Sequence, residues 1–124
     1  MKLNTLFIII GILGLIFGAA FVLMPDGVEE FYGADVTEAG KVDLQLLGAS
    51  FLGFAVLLFL ATKSKEAAAR KAIALGLLVS FVIGLVVSLK AQFAGVFNVW
   101  GWSKIAIFGI ASLFLLFFLI KGVE

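Results

Sequence analysis

Four runs of this chain, residues 5–24, 44–62, 72–89 and 105–120, carry no charged side chain and are apolar almost throughout. A helix rising 1.5 Å per residue needs about 20 such residues to cross a hydrocarbon layer about 30 Å thick. Each run therefore predicts one membrane span. With 64% hydrophobic residues, 14 Phe and a single Pro in 124 residues, the chain is too apolar for a water-soluble domain and too short for two domains. The fold expected is all-α, a polytopic membrane four-helix bundle with antiparallel up-down topology. It forms one transmembrane domain over residues 1–124, with helices at about 4–24, 36–62, 65–90 and 98–121.

Lys2 ahead of an apolar run, and "GAA" at Gly18 to Ala20, also fit a secretory signal. The apolar run exceeds the about 7–15 residues of a signal core, so helix 1 is read as retained.

Alternating the loops between two sides places Lys2, Lys63, Lys65, Arg70, Lys71 and Lys121 together, against Lys41, Lys90 and Lys104 opposite. The positive-inside rule then puts both termini in the cytoplasm, for a multi-pass protein of the cell (inner) membrane. The far side collects Asp26, Glu29, Glu30, Asp35, Glu38 and Asp43. Acidic residues do not hinder translocation, so this cluster reads as a hydrated loop rather than as a binding site.

The connections carry local signals. In "MPDGVEEFYG", Asp26 and Glu29 have capping-box spacing for a short interfacial helix ended by Gly33, with Val28, Phe31 and Tyr32 along the membrane surface. Asp35 with Glu38 is a second candidate box, opening helix 2. Ser64 is a candidate N-cap for helix 3, and Glu66 with Arg70 an i,i+4 pair. Trp100 and Trp102 mark the outer interface. Lys104 lies about 9 Å deep if helix 4 begins at Asn98, and is merely interfacial if it begins at Ser103; the second is expected.

Small residues form stripes. Gly76, Ser80, Gly84 and Ser88 recur every fourth position on helix 3, and Gly11, Gly14 and Gly18 share a face of helix 1. In lipid no hydrophobic drive holds helix to helix, so close backbone approach and dispersion decide association. Both stripes are expected to be helix-packing surfaces, with Ser80 and Ser88 bonding back to carbonyls four residues earlier. Helix 2 adds Gly48, Ala49 and Gly53, helix 4 adds Gly109 and Ser112, and Phe114, Phe117 and Phe118 are expected to face lipid or a partner.

Chemistry is sparse. The chain has no Cys and no His, which removes thiol catalysis, His-ligated haem and the usual zinc sites. No ionisable residue falls at mid-span, where such residues mark transport or catalysis. The sequence therefore points to a non-catalytic protein with no catalytic residues, no metal and no cofactor, whose partners are membrane lipids and other transmembrane helices, in a hetero-complex or homo-oligomer, and not nucleic acid. The leading expectation is an accessory, scaffold or small subunit of a membrane complex. The alternative is a binder or transporter of a lipid, quinone or small apolar molecule, with Asp43, Gln45, Trp102 and Lys104 as an outer polar rim. An enzyme would need Asp43, Gln45 and Lys104 to converge.

"MPDGVEEFYG" followed by "QLLGASFLGFAVLLFLA" resembles the small uncharacterised four-helix membrane proteins of the DoxX-like kind. Pro25 after helix 1, the Tyr32-Gly33 turn, and Gly48-Ala49 in helix 2 carry the likeness, which covers about half the chain. Gln45 stands where the family's Arg-x-x-Gly-Ala pattern has Arg, so that cation's role does not carry over. The resemblance implies a four-helix membrane fold with no single activity.

Overall fold

A computed structural model describes residues 2–35 and 37–122. The described residues form five helices: α1 (Leu3–Leu23), α2 (Pro25–Tyr32), α3 (Glu38–Ala61), α4 (Ala67–Phe93) and α5 (Gly101–Lys121). All but α2 are long and apolar enough to cross a membrane. The all-α four-span architecture agrees with the hydropathy. Boundaries differ by a few residues, and position 36, the expected start of the second span, lies outside the described residues.

The caps differ from those the spacing suggested. At α2, Pro25 occupies the first turn and no side chain caps it: the N-cap position falls on Met24, which leaves Asp26 inside the first turn, 2.9 Å from Lys41. Gly33 ends α2 in the left-handed region (φ 69°), as expected. Thr37, not Asp35, caps α3, its Oγ1 accepting from the Gly40 N–H at 2.9 Å. Glu66 rather than Ser64 is the N-cap residue of α4, while Ser64, two residues earlier, accepts through its Oγ from the Glu66 N–H.

The spans associate as two antiparallel pairs, α1 with α3 and α4 with α5. Along the first pair glycines remove the side chains that would hold the helices apart. A Cβ at Gly18 would lie 2.8 Å from the Gly48 carbonyl oxygen, and one at Gly48 would lie 2.8 Å from the Gly18 carbonyl oxygen. Gly14 faces the Phe51 carbonyl and Gly11 the Phe59 ring. The second pair is looser and built on side chains: Phe108 covers Gly84 and meets Phe81 at 5.6 Å between ring centroids.

The pairs join in one apolar core, in the half of the bundle that holds both chain ends. Leu3, Leu6 and Phe7 from α1, Leu58 from α3, Leu77 from α4 and Leu115 from α5 are buried there. Phe118 joins this core, whereas Phe114 and Phe117 stay exposed, so the expected lipid-facing Phe trio is divided. Adjacent positions on one helix point about 100° apart, which separates Phe117 from Phe118.

The two small-residue stripes have different fates. Gly11, Gly14 and Gly18 lie against α3, but at Gly76 a Cβ would meet nothing within 4 Å, and Ser80 is exposed. Of the two glycines in the α4 stripe, Gly84 has a close neighbour, and Ser88 is half-buried. Ser50 bonds back to the Leu46 carbonyl at 3.2 Å; among the described residues Ser80 and Ser88 make no such bond.

Candidate functional site

The polar side chains gather at the two ends of the bundle. At the acidic end, α2 leaves its last carbonyls without intrahelical donors. Asn98, in the α4–α5 connection, supplies them: its backbone N–H donates to the Tyr32 carbonyl at 2.8 Å and its Nδ2 to the Phe31 carbonyl at 2.9 Å. Asn98 Oδ1 accepts from the Trp100 N–H, and its carbonyl accepts from Gln92 Nε2, both at 3.0 Å. One residue thus fastens α2 to both helices of the second pair. Phe31 stacks on Trp100 at 5.3 Å between centroids, closing the same seam.

Lys104 lies beneath that seam. Helix α5 begins at Gly101, between the two starts the sequence offered, placing Lys104 in its first turn and partly buried. Its Nζ sits 3.7 Å from the Phe97 ring centroid and 4.1 Å from that of Tyr32. Two ring faces therefore replace part of the water an ammonium would otherwise hold. Among the described residues no carboxylate lies within 4.0 Å of Lys104; Glu29 supplies the nearby negative field. Glu29 Oε2 is itself buried without a hydrogen-bond partner.

The expected outer rim is dispersed. Gln45 Nε2 donates to the Val22 carbonyl at 3.0 Å, capping the end of α1. Asp43 is exposed, and Trp102 packs edge-on against Phe93 at 5.7 Å. No hydrogen bond or ion pair among the described residues links Asp43, Gln45, Trp102 and Lys104, because α3 presents the first two and α5 the others. No group of three or more His, Cys, Asp or Glu side chains converges among the described residues.

The basic end holds a buried cation. Arg70, counted in the sequence with the loop charges of that side, is only 4% exposed. Its Nη1 donates to the Ala61 carbonyl at 3.0 Å, with Ser64 O at 3.5 Å, and its guanidinium lies 5.6 Å from the Phe7 ring centroid. It caps α3 while sealing the core. Asn4 Nδ2 reaches the Thr62 carbonyl at 3.2 Å, tying α1 to the same helix end. Arg70 is the only Arg among nine basic residues; that solitary choice of a planar fork over Lys is the one sequence signal for its role. Asn98 carries the weaker signal of a turn residue before the Trp pair. Comparison with known proteins finds no match: no family model, no curated relative and no solved structure aligns with this chain.

Proposed function

We propose that the protein is a non-catalytic scaffold or accessory subunit of a membrane protein complex, set in the cell (inner) membrane with both termini cytoplasmic. The observation that carries this reading is where the polar groups go. Asn4, Gln45, Arg70 and Asn98 are each engaged with backbone carbonyls at helix ends, and Gln92 with the Asn98 carbonyl in the α4–α5 connection. Side chains committed to closing helix termini are chemistry spent on architecture. The weak DoxX-like resemblance in the first half is compatible with this, since that family implies no particular reaction.

The face offered to another subunit is on α5. Ile110, Leu113, Phe114 and Phe117 surround an open apolar notch of about 320 Å³. A transmembrane helix from another chain can seat large side chains there, gaining the dispersion contacts that drive association in lipid. The test is complex size in native nanodiscs. The wild type is expected to run in an assembly larger than a monomer, and Phe114→Ala/Phe117→Ala to release it; a monomer in both refutes the reading. A second reading, a binder of lipid, quinone or another small apolar molecule, draws on a separate groove between α3 and α4.

A further inference from the structure

That groove, of about 240 Å³, has Phe54 and Leu57 on its α3 wall and Ala72, Ile73, Gly76 and Ser80 on its α4 wall. Its depth is set by α4: Ala72 to Ser80 spans about 12 Å at 1.5 Å per residue. One leaflet supplies about 15 Å of hydrocarbon, half of a core about 30 Å thick. With the third charge-free run starting at Ala72, the length of the groove corresponds to most of one leaflet. A single hydrocarbon chain is narrow enough to lie in a furrow between two adjacent helices and is about one leaflet long.

The mouth of the groove has a definite charge. The two walls are joined by residues 62–66, which carry exposed Lys63 and Lys65 against one carboxylate, Glu66. Lys71, also exposed, sits one residue before the first α4 lining position, and Lys2 and Lys121 lie at the same end. An apolar groove nearly one leaflet long, at the end of the bundle where exposed Lys63, Lys65 and Lys71 cluster, matches a molecule with an apolar tail and an anionic head.

We propose that the α3–α4 groove is a binding site for an anionic glycerophospholipid, with one acyl chain against Gly76 and Ser80 and the phosphate headgroup on Lys63 and Lys65. The open face of Gly76 is then the thin wall that admits the chain. This site is independent of the α5 notch, so a lipid result and an assembly result can differ.

Native mass spectrometry of the detergent-purified full chain, titrated with dioleoyl phosphatidylglycerol or dioleoyl phosphatidylcholine, tests it. The acyl chains are identical, so only the headgroup differs. Phosphatidylglycerol is expected to be retained at least about fivefold more strongly, the contribution of one surface lysine. Lys63→Gln/Lys65→Gln is expected to abolish that preference while phosphatidylcholine binding persists. Gly76→Leu, which has open space for its side chain, is expected to lower binding of both lipids, and Gly53→Leu, equally open but outside the groove lining, to lower neither. Equal retention of the two lipids by the wild type, or undiminished phosphatidylglycerol binding by Gly76→Leu, overturns the proposal. So does a lipid-free multimer that Gly76→Leu disperses, which would assign the groove to a second copy of the chain.

Discussion

Replacing Gly48 by Ala probes the closest contact between two spans. The new Cβ would lie 2.8 Å from both the Gly18 carbonyl oxygen and the Phe21 Cβ. Neither is the flexible tip of a side chain, so the helices themselves must move. Restoring an ordinary contact of 3.4 Å requires a separation of about 0.6 Å, and a gap of about 0.5–1 Å forfeits a quarter to a half of each dispersion well along the seam. Overpacking of this kind costs about 1–3 kcal/mol, which lowers the folded-to-unfolded ratio roughly 5- to 150-fold. Gly76→Ala adds the same methyl where nothing lies within 4 Å; helix propensity then stabilises by up to about 1 kcal/mol. Reversible unfolding of bicelle-embedded protein by sodium dodecyl sulfate, followed through Trp100 and Trp102 fluorescence, reads both. Gly18→Ala is expected to resemble Gly48→Ala. Gly11→Ala is expected to cost less, because only the Phe59 ring must turn. Equal effects at Gly48 and Gly76 would refute the idea that α1 and α3 cohere by backbone approach.

The helix-end residues and the membrane orientation yield further expectations. Asn98→Ala removes the donor to the Phe31 carbonyl and the acceptor for the Trp100 N–H, at about 1 kcal/mol each; hydrogen exchange across residues 25–33 should accelerate about tenfold or more, with the core unchanged. Lys104→Met strips the ammonium from the Tyr32 and Phe97 rings and is expected to cost about 0.5–2 kcal/mol, with Lys104→Arg restoring most of it; an undiminished unfolding midpoint for Lys104→Met would remove the ring contacts as a stabilising feature. Arg70→Ala uncaps α3 and opens the core beside Phe7, and should destabilise by about 2–4 kcal/mol, whereas loss of a wholly surface cation would cost about 0–1 kcal/mol. Because the chain has no native cysteine, Ser64→Cys and Val99→Cys report orientation directly. Impermeant maleimide added outside intact cells is expected to label the second and spare the first, and the opposite pattern overturns the proposed cytoplasmic placement of the termini.

The number of spans and the end-to-end segregation of charge were legible because they follow from local composition. A lipid-crossing helix must satisfy its backbone internally and cover its length with apolar side chains, and any 20-residue window reveals whether it can. Gly33 was legible for a related reason: a helix end needing positive φ selects glycine whatever surrounds it. The caps were less so. Asp26 and Asp35 had the right spacing, but α2 begins at Pro25, which puts Asp26 inside the helix, and Thr37 took the cap of α3. The roles of Arg70, counted only as a charge of one side, and of Asn98, weighed only as a helix start, were not legible because each acts on carbonyls from other helices, through partners up to 67 residues away.

Which stripe would close and which would stay open was beyond the sequence. Gly11, Gly14 and Gly18 read much like Gly76, Ser80, Gly84 and Ser88, yet α1 meets α3 backbone to backbone while α4 leaves Gly76 uncovered. In water the hydrophobic face of a helix says which side is turned inward. Here lipid tails and neighbouring helices are equally apolar, so composition alone could establish four membrane-length helices and their charged ends, but not their pairing. That was decided by shape, by which pairs of backbones can approach to contact and which bulky side chains hold others apart, and shape exists only once the helices are placed together.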